Sequence, residues 1–361
     1  MTQPKVLLLG YNYASVMNSL FEGFKETGVP CRALSFELHR SFFNHYDNIE
    51  CVYKKKYKSR LAINWYRLKG LVKLFRYLLW CDVIHVFYDT AVTGSRVELK
   101  LFRAMKKKKF INFLGSEVRN PQVTMRMDPY FERAFKDPGY EYKDESEKQS
   151  NQIQSAYANA GFVPIVWDTD IYINPSIFPV YHVIPHASQN HIAQKAEKKN
   201  GPVLIIHSPS APVAKGTKYV LEAIEELHRR GTENFEFKLL KNIPNNVYQE
   251  YVSNADILID QMIWGAYGIA SAQALAYGKV VVCYLLPYRV EKYYGKDCPI
   301  VNANIDNLPD VLETLIRDEG MRKRIGEESK SYFKKTHAPE QVAKKMLKAY
   351  LNKTRRLCWR N

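Results

Sequence analysis

Pro202-Val203-Leu204-Ile205-Ile206-His207-Ser208-Pro209-Ser210-Ala211-Pro212-Val213-Ala214-Lys215-Gly216-Thr217 is an apolar run, a Ser/Pro loop and a Lys-Gly step into helical spacing that runs to Arg230. A short apolar run closed by turn residues has the form of a buried parallel strand. The loop that follows carries its amides, and the positive end of the next helix dipole, to the carboxyl edge of a sheet. That edge is an anion site by construction, and Lys215 supplies a countercharge. The stretch is not a Walker loop, because it lacks GxxxxGK[ST]. A plain strand-to-helix loop with a surface lysine fits the spacing equally well.

Downstream the pattern repeats. Strands are expected at 235–240, 257–259 and 280–284, with helices at 217–230, 246–254 and 269–277, and a charged helical region at 308–351 broken at Gly320 and Pro339. Upstream, strands are expected at 5–10, 31–36, 83–87 and 110–114, and helices at 15–27 and 61–80. Such alternation predicts an α/β chain of doubly wound parallel sheets. Residues 120–160, rich in Tyr, Phe, Asp, Glu and Lys and holding three prolines, read as an irregular surface excursion, and polar 189–200 as a linker.

The second ligand-like segment is Asp256-Ile-Leu-Ile-Asp260-Gln-Met-Ile-Trp264-Gly265-Ala-Tyr267-Gly268-Ile269-Ala-Ser-Ala-Gln273-Ala-Leu-Ala-Tyr-Gly278. A strand ends near Asp260, glycines at 265 and 268 permit close backbone approach, and a small-residue helix begins at Ile269. The amides of 267–269 then form a second anion site. Two such loops on one sheet edge favour a nucleotide diphosphate. The alanines also suit tight helix packing without any ligand.

The chain is 361 residues with 46% hydrophobic and 25% charged residues, 17 Gly and 17 Pro. Its length suggests about two domains, and its composition excludes collagen-like, low-complexity and wholly disordered classes. No apolar run approaches the roughly 18 residues of a membrane span. The N-terminus lacks the layout of a secretory signal, and the six scattered cysteines lack a CxxC and read as reduced thiols, so a cytoplasmic protein is expected. Net charge is +16, and between Cys51 and Lys109 sixteen Lys and Arg face three acids, a local +13. Over 54–79 these cations stand beside Tyr57, Trp65, Tyr66, Leu68, Leu71, Val72, Phe75, Leu78 and Leu79, the pattern of an interfacial amphipathic helix that would dock the chain on the inner leaflet, so an anionic membrane surface is an expected partner. A solvated basic face, with the apolar stripe packed on the sheet, explains the same pattern. No nucleic-acid-binding motif accompanies the charge, and no His/Cys cluster suggests a catalytic metal.

Four motifs in order give the chain a resemblance to the retaining glycosyltransferases of family 4, which have the GT-B fold. Lys215-Gly216 stands where that family has KG before a helix. Gly265-Ala-Tyr267-Gly268-x4-Gln273-Ala-Leu-Ala-x-Gly278 resembles its E-G-[FY]-G-x4-E-A-[ML]-A-x-G. Leu114-Gly115-Ser116-Glu117-Val118-Arg119 resembles H-G-S-D-V-R, and Asp82-Val-Ile-His85 resembles D-I-I-H. The resemblance implies two Rossmann-like domains facing a cleft: an acceptor domain over 1–188, a nucleotide-sugar domain over 200–335, and residues 336–361 returning to the first. It implies transfer of a sugar from a UDP- or GDP-linked donor, without cofactor or metal, to a glycan or lipid-linked acceptor in cell-envelope or secreted glycan synthesis.

The resemblance also assigns residues. Lys215, Glu117 and Arg119 would be catalytic. Ser208, Ser210, Gly216, Thr217, Gly265, Tyr267, Gly268, Ile269 and Gln273 would bind the donor. Gly10, Tyr11, Asn12 and His186 would line the cleft. Three positions depart from the pattern: the family's two glutamates fall on Gly265 and Gln273, and its arginine falls on Ser210. Gln273 can still bond a ribose diol, without charge assistance, and sugar recognition would pass to backbone amides or Tyr267. The departures leave open a catalytically silent GT-B protein acting as a sugar-nucleotide-binding or partner subunit. A membrane- or nucleic-acid-binding module, or an epimerase of the same fold, is a further alternative; an epimerase's carboxylate-rich cleft has no evident counterpart here. His85, inside an apolar strand, reads as a core histidine.

Overall fold

The computed structural model describes residues 3–38, 47–53, 59–89, 96–189 and 201–352. Two compact units emerge. The first comprises 1–120, 145–188 and 338–361; the second comprises 121–144 and 189–337.

In chain order the first unit opens with β1 (Val6–Gly10), α1 (Val16–Glu26), β2 (Cys31–Leu38), β3 (Glu50–Tyr53), α2 (Arg60–Trp80), β4 (Val83–Phe87), α3 (Glu98–Ala104) and β5 (Lys108–Asn112). Helices α4 (Pro121–Met127) and α5 (Phe131–Phe135) belong to the second unit, and the chain then returns through α6 (Glu147–Asn159), β6 (Val163–Val166) and β7 (His182–Val183). The sheet order is β3-β2-β1-β4-β5-β6-β7, with every described pairing parallel. Strands β1 and β4 are buried throughout, as the central strands of a covered parallel sheet must be. Gly10 is required here by packing: its φ is +124°, and a Cβ would stand 2.3 Å from the Phe87 carbonyl. His85 is a core residue, its Nδ1 on the Tyr350 hydroxyl, and burial pushes its pKa down to about 3.

The second unit continues with β8 (Val203–His207), α7 (Pro212–Lys215), α8 (Thr217–Arg229), β9 (Phe235–Leu239), α9 (Asn245–Asn254), β10 (Ile257–Ile259), α10 (Ile269–Ala276), β11 (Val280–Cys283), α11 (Pro287–Arg289), β12 (Val301–Asn302), α12 (Leu308–Arg317) and α13 (Glu319–Thr336). Its sheet order is β12-β11-β10-β8-β9, again parallel. The last helix, α14 (Pro339–Leu351), lies on α1 in the first unit, so closely that a Cβ on Gly23 would sit 2.1 Å from the Pro339 carbonyl oxygen.

Residues 120–160 are irregular over 128–130 and 136–146 but otherwise form α4, α5 and α6, and 121–144 pack with the second unit rather than the first. Helix α6 buries Ser150, Ile153, Gln154 and Tyr157, a spacing proper to a helix. Two of those four are polar, which hides the apolar period. Gln154 earns its burial by bonding Ser150, the Tyr172 carbonyl and the Asn174 amide. Phe131, Ala134 and Tyr140 form a cluster with Ala211, Ala214 and Ile263, so the excursion builds one wall beside the loops after β8 and β10. Gly320, expected to break the terminal helices, lies inside α13; the break is at Asp318, whose carboxylate caps α13 through the Met321 amide at 2.7 Å. The linker expected at 189–200 lies outside the described residues beyond Gln189.

Candidate functional site

In the second sheet the strand order reverses between β8 and β10, and open α/β sheets bind ligands beyond the carboxyl ends of strands at such a switch point. His207 closes β8, and Asp260 follows β10. The two loops singled out in the sequence meet there: the Met262 amide donates to the Lys215 carbonyl at 3.0 Å, and Lys215 Nζ donates to Asp260 Oδ1 at 3.0 Å. Gly216 permits this approach, since its φ is +75° and a Cβ would lie 2.9 Å from Ile263.

Asp260 organises the corner. Its second oxygen accepts from the Gly268 amide at 2.7 Å and the Ser271 hydroxyl at 2.6 Å, tying the start of α10 to Lys215. Burial alone would raise this carboxyl's pKa, but Lys215, Ser271 and Gly268 outweigh it and hold it below the usual carboxylate range. Burial would likewise lower the Lys215 pKa, and Asp260 reverses that, so the ammonium stays charged. An ammonium has three donors, and one is used on Asp260.

His207 locks the floor. Its Nδ1 faces the Ile259 carbonyl at 2.9 Å, and a carbonyl can only accept, so Nδ1 carries the proton and Nε2 accepts from Thr217 Oγ1 at 3.0 Å. Burial pushes this imidazole down to about 4, so it is neutral at neutral pH. The Thr217 hydroxyl therefore serves His207 rather than a ligand.

The other expected donor residues divide. Among the described residues, Ser208 and Ser210 make no side-chain hydrogen bond, and Ser210 is exposed. The Gln273 side chain is likewise unbonded among the described residues, and it lies on the Ile269 face of α10, one turn on. Tyr267, expected to face the sugar, points into the core. Its hydroxyl meets His337 Nε2 at 2.9 Å and its ring packs on Tyr294, so that both the polar and the apolar part of the side chain are satisfied in the interior. The Gly268 amide, expected for phosphate, belongs to Asp260. Gly265 has no room for the family's glutamate: its φ is +58°, and a Cβ would fall 2.3 Å from Leu286.

Three carboxylates here escaped the sequence reading. Beside Asp260, Glu141 accepts from the amides of Val213 and Ala214 at 2.9 and 3.0 Å, capping α7. Asp128, buried, accepts from the Tyr130 amide and places Oδ2 3.3 Å from where a Gly265 Cβ would stand. Burial raises its pKa to about 6 against the opposing Tyr130 and Phe131 amides and Arg289. Asp128 and Glu141 lie in the excursion without a motif; only the strand-end position of Asp260 carried a signal.

In the first unit, β1 and β4 flank the corresponding switch point. Tyr11, Tyr13 and Tyr88 cluster there with ring centroids 4.8–6.0 Å apart, and Ala14, Ser15 and Tyr88 all have positive φ. Strained non-glycine backbone of this kind gathers at functional sites. Asn12 is buried, its Oδ1 accepting from the Asn18 amide. Glu117 and Arg119, expected to be catalytic, hold their own loop. The Glu117 carboxylate accepts from the Leu114 and Gly115 amides at 2.7 and 2.9 Å, and Arg119 makes a buried ion pair with Glu145. Burial raises the Glu117 pKa to about 7 despite those amides. His186 is half-buried, and burial lowers its pKa against the opposing Asp168.

No protein-family model and no curated protein matches the chain. Solved structures do. Sucrose-phosphate synthase from Thermosynechococcus elongatus superposes with a TM-score of 0.60 at 11% identity, covering 96% of this chain and 98% of that one. A mutant of S. aureus TarM, in complex with fondaparinux, α-GlcNAc-glycerol and UDP, gives 0.61 at 10% identity over 97% and 100%. WaaG, a glycosyltransferase involved in lipopolysaccharide biosynthesis, gives 0.53 at 13% identity over 96% and 100%. With its two parallel α/β sheets in these strand orders, the chain has the GT-B fold.

Proposed function

We propose that the protein is a retaining glycosyltransferase that moves a sugar from a UDP- or GDP-linked donor to a glycan or lipid-linked acceptor in envelope or secreted glycan synthesis. The observation that carries this reading is the charged Lys215, held by Asp260 at the β8/β10 switch point. A fixed cation at that edge stabilises the charge that develops on a departing diphosphate, and it needs no reorganisation during the reaction. Gly216, the Ser208–Ser210 loop and Gln273 would complete the donor site, Gln273 bonding the ribose diol. Thr217, Gly268 and Tyr267 serve it from behind, through His207, Asp260 and the core.

Retention requires no dedicated protein base. The acceptor oxygen forms its bond to the anomeric carbon on the face from which the diphosphate leaves, the carbon–oxygen bond to phosphate breaks, and a diphosphate oxygen takes the acceptor's proton. Positioning and charge stabilisation are the protein's part, and no metal enters. Tyr11 and the strained turn after β1 would take the acceptor end, with Asn12 holding that turn from behind through the Asn18 amide. UDP-bound relatives of the same fold support a nucleotide-sugar partner. Thermal-shift measurement with UDP, GDP, ADP and CMP tests the proposal: stabilisation by UDP or GDP is expected, and indifference to all four would overturn it.

A further inference from the structure

Helix α2 carries five cations, Arg60, Arg67, Lys69, Lys73 and Arg76, and no acid. Its inner face is committed to the sheet. Gly70, Leu74 and Leu78 are buried, and a Cβ on Gly70 would stand 2.6 Å from Val52 and 2.9 Å from Phe36. Lys73 and Tyr77 further tie the helix to Glu50 of β3, the outermost strand. The expectation that its apolar stripe packs on the sheet is met by this face alone.

A second apolar stripe faces outward. Leu61, Trp65, Leu68, Val72, Phe75 and Leu79 recur at spacings of 4-3-4-3-4 and are each between 49% and 81% exposed. Single exposed hydrophobics need no explanation, but six in one line mark an interaction surface. Lys69 Nζ lies 4.9 Å from the Trp65 ring centre, and a hollow of about 330 Å³ opens among Trp65, Leu68, Lys69, Val72, Lys73 and Arg76.

We infer that α2 docks the protein on an anionic lipid bilayer, lying in the plane of the surface with this stripe at the acyl boundary and its cations among the headgroup phosphates. Charge selects this occupant. The stripe has the period of a coiled-coil seam, but a second copy packed antiparallel across it would bring Lys69 of each copy towards Arg76 of the other, with no acid on the helix to pair them. An anionic surface complements the flanking cations, Lys73 excepted because Glu50 holds it, and Trp65 and Tyr66 are aromatic types that favour the headgroup level. Among the described residues no helix can cross a membrane, so the contact is peripheral. Lys54, Lys55, Lys56 and Lys58, part of the basic run in the sequence, lie outside the described residues.

The inference deepens the reading of a lipid-linked acceptor, yet rests on α2 alone, so lipid binding and nucleotide binding can fail separately. Full-length protein would be co-sedimented with phosphatidylglycerol-containing and with pure phosphatidylcholine vesicles, at low and raised salt. Binding is expected only to the anionic vesicles and should weaken with salt. Lys69→Gln with Arg76→Gln should lower the partition about 30-fold, near 1 kcal/mol per cation. Leu68→Gln, Val72→Gln and Phe75→Gln together should abolish it, with circular dichroism unchanged because these side chains are exposed. Equal binding to neutral vesicles, no binding to anionic ones, or variants that bind like wild type would overturn the inference. So would a dimer in sedimentation velocity that the apolar triple variant dissolves, since the stripe would then belong to a second copy.

Discussion

Lys215 Nζ and Asp260 Oδ1 stand 3.0 Å apart at the carboxyl edge of the second sheet, and the other oxygen of Asp260 holds Gly268 and Ser271. One carboxylate thus positions both of the loops whose spacing suggests phosphate binding. It fixes the lysine as a charged donor while withdrawing the Gly268 amide from any ligand.

Because Asp260 is buried and Lys215 is largely so, removing either strands the other. Asp260→Asn and Lys215→Met should each destabilise the fold by about 3–5 kcal/mol in urea denaturation. The double variant should lose less than their sum, with a coupling of about 0.5–3 kcal/mol; strict additivity would mean the pair does not interact. The folded pKa of Asp260 is depressed, so its stabilisation is present above the ordinary aspartate pKa and is lost as pH falls through the lower folded value.

Gly265→Ala tests why the family's first glutamate is missing. The new Cβ must displace Leu286 at 2.3 Å, an overpacking of about 1–3 kcal/mol, in a left-handed conformation that adds roughly 1–2 kcal/mol. Leu286→Ala in the same chain should relieve the first contribution and leave the second. A neutral Gly265→Ala, measured by thermal or urea unfolding, would contradict the geometry.

Glu117 is read by pH. Its folded pKa is raised to about 7, so the stability it supports is present below the ordinary glutamate range and is lost as pH rises through 7. Glu117→Gln removes that titration. Relative to wild type, the variant should gain stability between pH 5 and pH 8 in urea titrations; a constant difference would show an ordinary carboxylate.

The central strand–loop–helix units were legible because buried parallel strands write themselves as apolar runs, whereas the edge strands β3 and β12, short and only partly buried, were not expected. Helix α6 was hidden because Ser150 and Gln154 occupy its buried face, satisfied by partners that no local pattern announces. Of the candidate site, the two loops were legible in the sequence and their contacts were not. Lys215, Gly216 and Gln273 could be located from spacing, whereas the His207–Thr217 bond, the inward turn of Tyr267 and the roles of Asp128 and Glu141 depend on segments distant in sequence. Glu117 and Arg119 illustrate the converse: residues in a motif whose contacts serve their own loop and Glu145.

Isothermal titration calorimetry of UDP and GDP into wild type, Lys215→Met and Gln273→Glu tests the donor site most directly. Wild type should bind one of the two. Lys215→Met, if unfolding shows it folded, should bind it about 10- to 100-fold more weakly through loss of a charge-assisted contact. Gln273→Glu should bind at least as well as wild type, because a carboxylate accepts more strongly from a ribose diol. Wild type that binds neither nucleotide, or a folded Lys215→Met with undiminished affinity, would contradict a diphosphate held at Lys215.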